Sequence, residues 1–208
     1  MAYAAISCTP FLNHQSIYHM NQAEDIKNAV TVLRQGGLIL YPTDTVWGIG
    51  CDATNAEAVA KVYALKQRDD HKAMICLVDS AARLQRYVRN VPNVAWDLLD
   101  VAIKPTTVIF DEAVNLAPNL LGEDGSIALR LTHEPRSKEL CYRFQKALVS
   151  TSANISGQPT AANFRDIAPE IIAGVDYVCF ARRQEHHPHT PSSIIKLANN
   201  GEVQIIRK

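Results

Sequence analysis

The stretch over residues 38–52, LILYPTDTVWGIGCD, constrains the chain more than any other. Its four apolar residues, Leu38, Ile39, Leu40 and Tyr41, make a short buried strand. Pro42 ends that strand because proline has no N–H to donate to a ladder. Thr43, Asp44 and Thr45 follow, then Gly48 and Gly50, whose missing side chains let the backbone approach a ligand or another stretch of chain closely. A strand end that opens into small polar residues and glycines is where open α/β sheets bind ligands. A tight turn with Asp44 as an Asx-type cap fits the same residues, and the stretch alone does not choose between the two.

The rest of the chain extends the α/β pattern. Asn21 with Glu24 makes a capping-box start, and Ile26, Ala29, Val30 and Leu33 keep one apolar stripe until Gly36 and Gly37 end the helix. A second helix starts at Asn55, buries Val59, Val62 and Tyr63, and runs towards Lys66. Residues 74–78 read as a strand, Asp79 as the cap of a helix to about Tyr87, and Pro92 as the start of a helix carrying Trp96, Leu98 and Leu99. Strands follow over 108–110 and 126–131, separated by a loop over 115–125 that suits either a lid or a plain connection. Pro135 starts a helix to about Leu148, and Val149 opens another strand. A helix near 166–173, a strand over 177–180, and closing strands over 193–197 and 203–207, joined by Asn199-Asn200-Gly201, complete the pattern.

With 208 residues and 47% apolar content, the chain can build one sizeable core. A single domain over residues 1–208 is expected, with 1–20 as an irregular arm. Lys+Arg and Asp+Glu balance at 21 each, so no global field draws the protein to nucleic acid or membrane. Any basic surface has to be local. The odd, scattered cysteines Cys8, Cys51, Cys76, Cys141 and Cys179 contain no C-x-x-C pair and argue against a disulfide framework or zinc site. No signal segment or membrane-length apolar run is visible, so a soluble, cytoplasmic protein is expected. His186, His187 and His189 lie in a Pro-interrupted polar run and are assigned no metal.

Three groups of residues carry candidate chemistry. Lys66 and Arg68 lie two apart, which puts them on one side only if the helix has ended by about Lys66. So placed, they would neutralise a polyphosphate; otherwise they are a solvated helix end favoured by the dipole. Arg130, among apolar neighbours in SIALRL, requires an acidic side chain or an anionic ligand. Ser150, Thr151 and Ser152 lead to Asn154 and Gly157 at another strand end. No His or Asp is positioned to activate Ser152, which favours hydrogen bonding over covalent catalysis, with a capped turn as the plainer alternative.

Taken in order, PTDTVWGIGCDA (42–53), KQR (66–68), TTVIF (106–110), IALRL (127–131), SAN and SG (152–157) and PSSII (191–195) resemble the YrdC/TsaC family of threonylcarbamoyl-AMP synthases. The resemblance spans residues 21–207 and rests on the ordered agreement of motifs that are each weak alone. It implies a twisted mixed sheet with flanking helices and a concave basic surface, without the C-terminal domain of longer relatives. It also implies condensation of L-threonine, bicarbonate or CO2, and ATP with Mg into threonylcarbamoyl-adenylate and pyrophosphate. A partner complex then transfers the threonylcarbamoyl group to tRNA, beside the anticodon.

By the same resemblance Lys66, Arg68, Ser152 and Asn154 are catalytic. Lys66, Arg68, Thr107, Asn154 and Arg207 meet ATP, while Thr43, Arg130, Ser152 and Ser192 meet threonine. No residue is assigned to metal. The chain departs from the family pattern at Trp47 (usually Tyr), at residues 69–73 (prolines missing), at Leu77 (often His) and at Lys104-Pro105-Thr106 (no Gly). The other readings are a double-stranded RNA or tRNA binding module, a ribosome-maturation protein, and an inactive paralogue.

Overall fold

Apolar runs separated by proline, glycine and polar turns pair into a nine-stranded sheet in the computed structural model, which describes residues 21–68, 74–185 and 191–208. The N-terminal arm, the proline-free segment 69–73 and the histidine run fall outside the described residues. The strands are β1 (Ile39–Tyr41), β2 (Gly48–Gly50), β3 (Ile75–Val78), β4 (Thr106–Phe110), β5 (Ile127–Leu131), β6 (Leu148–Ser152), β7 (Tyr177–Val178), β8 (Ser193–Leu197) and β9 (Val203–Arg207). Their order across the sheet is β7-β1-β2-β6-β3-β5-β4-β8-β9. The pairs β1/β7, β3/β5 and β4/β8 are parallel and the remaining neighbours antiparallel, giving the expected mixed α/β sheet.

Both faces of the central strands are covered, which is why ILY at β1 is buried throughout rather than alternating. On one face lie α1 (Gln22–Arg34) and α5 (Pro135–Phe144), whose Ile26, Val30, Leu33, Leu140 and Phe144 pack on Ile39, Tyr41, Leu77 and Leu148. Asn21 caps α1 as expected, its Oδ1 accepting from the Ala23 N–H. On the other face α2 (Ala56–Lys66) and α4 (Val94–Asp100) bury Val59, Val62, Ala95 and Leu99 against Leu40, Ile49, Val78 and Leu129. Each aliphatic side chain so removed from water contributes about 1.5–3 kcal/mol before entropy is counted.

Several boundaries differ from the sequence expectation. The glycine-bearing stretch after Thr45, for which the sequence left a ligand-binding strand end and a tight turn both open, forms β2, paired with both β1 and β6. Gly50 makes this possible: a Cβ there would stand 2.8 Å from Tyr41 Cε1 and 3.1 Å from the Val149 carbonyl oxygen. Gly50→Ala is therefore expected to destabilise by about 1–3 kcal/mol through overpacking, read as a lower urea midpoint at unchanged slope. A wild-type midpoint would show that the sheet yields there without cost.

The helix after β3 spans only Ala81–Leu84 (α3) and is capped by Ser80, because Asp79 is buried in an ion pair with Arg83 (2.9 Å). Helix α5 stops at Phe144, where Gln145 takes the left-handed φ of 67°, so β6 already begins at Leu148. Helix α6 is limited to Pro169–Ala173. The segment over 115–125 is a tied-down connection rather than a lid: Leu120 is fully buried and the Ala117 N–H donates to the Ala53 carbonyl (2.9 Å). Leu77, at the position expected to carry a His in many relatives, is fully buried among α1 and α5 side chains and moves no proton.

Register places the uncovered part of the α1/α5 face. Leu77 lies opposite both Arg130 and Leu148, and Ile75 opposite Ser150, so these side chains share that face. Gly48 pairs with Ser152 one strand further along. Past Leu77 the helices end, and a cavity of about 280 Å³ opens over Ile75, Arg130, Ser150 and Ser152.

Candidate active site

The turn after β1 is folded by Thr43. Its Oγ1 accepts from the N–H groups of Thr45 (3.1 Å) and Val46 (3.2 Å), donates to the Val46 carbonyl (2.7 Å) and meets Thr45 Oγ1 at 3.0 Å. Asp44 is therefore not the cap. Its carboxylate instead accepts from Arg130 Nη2 at 2.8 Å, the acidic partner that a buried arginine requires. Arg182, itself in the left-handed region at φ 59°, donates from Nη1 to the Thr43 carbonyl (2.8 Å) and pins the turn from outside.

Helix α2 ends at Lys66, and Gln67 turns into the left-handed region at φ 48°, which sends Arg68 off the helix and into the cavity wall. Lys66 is 1% exposed. Its ammonium donates to the carbonyls of Ser152 (2.5 Å) and Asn154 (2.6 Å), while its own carbonyl accepts from the Ser156 N–H (2.8 Å). Burial, and secondarily the neighbouring Arg68 cation, lower the Lys66 pKa to about 8. Asn154 donates from Nδ2 to the carbonyls of Ile155 (3.0 Å) and Gln158 (2.8 Å), holding the same bend.

The far wall comes from the entry to β8. Ser192 Oγ meets Thr107 Oγ1 at 2.9 Å, and Arg207 on β9 donates from Nε to the Ser192 carbonyl (2.9 Å) and from Nη2 to its Oγ (3.4 Å).

The nine candidate residues thus fall into two layers. Thr43, Arg68, Arg130, Ser152, Ser192 and Arg207 line the cavity, whereas Lys66, Thr107 and Asn154 stand behind it and hold residues that do. Thr45 and Ser150, named in the sequence at the two strand ends but given no ligand role, also line it, whereas the sequence does not single out Arg182. Each of the two lies two positions from an assigned residue on an extended segment and so shares its side. No local signal marks Arg182, which reaches Thr43 from 139 positions away.

Among the described residues the lining holds the guanidinium groups of Arg68, Arg130 and Arg207, several hydroxyls and no carboxylate. Burial pushes the thiols of Cys51, Cys76, Cys141 and Cys179 up, so none supplies a thiolate. Among the described residues no three His, Cys, Asp or Glu side chains gather as a metal cage, and no helix is long and apolar enough to cross a membrane. Such a cavity binds anions and offers them hydrogen-bond donors.

Residues 31–208 match the family model Sua5_yciO_yrdC, described as "Telomere recombination". The threonylcarbamoyl-AMP synthase of Pseudoalteromonas translucida is 36% identical over 187 residues, covering 88% of this chain and 98% of the relative. Among solved structures, P. abyssi Sua5 carrying H234A/Y235A superposes with a TM-score of 0.82 at 21% identity, covering 91% of this chain and 57% of the other. P. abyssi Sua5 complexed with L-threonine superposes with a TM-score of 0.75 at 22% identity, covering 86% and 52%. The chain therefore spans little more than half the length of those two structures, which share its fold.

Proposed function

The chain belongs to the Sua5/YciO/YrdC family, and from that premise we propose that it is a threonylcarbamoyl-AMP synthase, a nucleotidyltransferase of the cytoplasm. The observation that carries this reading is the cavity itself, which among the described residues holds three guanidinium groups and a ring of hydroxyls with no carboxylate. Threonine, ATP and bicarbonate are each an anion or bear an anionic group. Threonine's amine attacks the carbon of CO2 or bicarbonate, the latter losing water. The resulting carbamate oxygen then displaces pyrophosphate in line from the α-phosphorus of ATP, giving threonylcarbamoyl-adenylate.

In this reading Arg130 receives the threonine carboxylate, and the hydroxyls of Thr43, Ser152 and Ser192 fix its orientation. Arg68 and Arg207 face the phosphates, where they offset the charge that develops as pyrophosphate departs. Lys66 and Asn154 hold the strand end that carries Ser152, and Thr107 holds Ser192. The chain provides alignment and charge rather than a covalent nucleophile, and alignment of bound reactants is worth roughly 7–11 kcal/mol of barrier. A Mg ion would meet no carboxylate among the described lining residues, so the phosphates of ATP and water would hold it. The labile product passes to a threonylcarbamoyl-transfer complex acting on tRNA, with any contact to tRNA made across the same concave face.

Pyrophosphate release from ATP by the purified protein tests this, with L-threonine and bicarbonate left out one at a time. Release that needs both is the expected result. No release, together with salt-dependent affinity for double-stranded RNA, would replace the synthase with an RNA-binding role.

A further inference from the structure

The cavity must take two kinds of anion, and its cations are not equivalent. Arg207 donates to the neutral carbonyl and hydroxyl of Ser192, which do not offset its charge. Arg68 lines the cavity beside Lys66. Arg130, by contrast with Arg207, is 3% exposed and is paired through Nη2 with a carboxylate, that of Asp44, at 2.8 Å.

We propose that Asp44 sorts these anions, reserving Arg130 for a single carboxylate and directing polyphosphate to Arg68 and Arg207. The inference rests on the synthase reading. Asp44 lies outside the cavity lining and is therefore a positioning residue, acting on ligands through Arg130 and through its own charge. By taking Nη2 it fixes the guanidinium plane, so a ligand in the cavity meets an arginine whose charge is already partly offset. Its negative charge repels in proportion to the charge that approaches. A zwitterionic amino acid is nearly indifferent to that charge, and a triphosphate is not. Selectivity of this kind comes from an installed repulsion rather than from a better fit.

The test is competition between L-threonine and inorganic tripolyphosphate, measured by calorimetry on the full chain. The wild-type protein is expected to bind both together. In Asp44→Asn, tripolyphosphate should invade the Arg130 end, raising the apparent threonine Kd roughly tenfold or more at saturation. Asp44→Glu should restore independent binding, a rescue that a purely structural role for Asp44 would not give. Mutual exclusion in the wild-type chain overturns the proposal without any variant, and so does unchanged independence in Asp44→Asn. Threonine-dependent pyrophosphate release alongside either of those results would sink the sorting alone. A wild-type chain that neither binds threonine nor releases pyrophosphate would remove the synthase reading and the sorting with it.

Discussion

Replacing Lys66 with alanine is expected to lower both turnover and stability. The ammonium is the donor to the carbonyls of Ser152 and Asn154, and alanine would leave both without that charged partner. Charge-assisted bonds of this kind are worth about 1.5–3 kcal/mol, and the vacated stem adds a cavity, so a loss of roughly 2–4 kcal/mol is expected in urea unfolding. Because Ser152 sits at the strand end that the lysine holds, turnover should fall about a hundredfold through misplacement alone. A variant with wild-type turnover would remove Lys66 from the site.

The pH dependence separates the two roles of Lys66. Its pKa is about 8 in the folded chain against 10.5 as a free side chain. Between those values the unfolded chain holds a proton that the folded chain has released, so the contribution of this group to stability rises with pH across that window. The neutral amine still has donors for both carbonyls, and the fold persists. The charge that strengthens both bonds, however, is gone, so the hold on Ser152 weakens and turnover should decline as pH passes about 8. Lys66→Arg, which stays charged, should lose that descending limb if it turns over at all. A limb unchanged in Lys66→Arg would assign it to another group.

Arg68→Ala should give the opposite combination, a large loss of turnover with little loss of stability. Arg68 lines the cavity beyond the end of α2 and is only partly buried. Removing one positioned donor from developing charge costs about a hundred- to a thousandfold in turnover. Its charge also opposes that of Lys66, so its removal should relieve some of the downward pull on the Lys66 pKa. Urea midpoints within about 0.5 kcal/mol of wild type, with pyrophosphate release nearly abolished, are the expected pair of results. Equal losses in both would mean that Arg68 braces the structure rather than serving a ligand.

Much of the sheet and its helices was legible in the sequence because the signals are local. The caps at Asn21 and Asn55, the stripe through Ile26 and Leu33, the stop at Pro42 and the glycine turn at Gly201 each depend on a few neighbouring residues. So does the need of Arg130 for a counter-charge, which follows from desolvation whatever the partner is. The ordered motifs singled out the residues around the cavity without saying which of them face it.

That last distinction belongs to tertiary structure. Asp44 became an ion-pair partner instead of a cap because β5 brings Arg130 to it from 86 positions away, and Thr43 was free to fold the turn. The Gly48–Gly50 segment became a strand because β1 and β6 lie close enough on either side to satisfy its backbone, a closeness that only glycine permits against Tyr41. Lys66 moved behind the cavity because the carbonyls of Ser152 and Asn154 converge on it. Periodicity and composition fix which residues want burial or a partner; which partner each receives depends on long-range register, and register is set by the whole sheet at once.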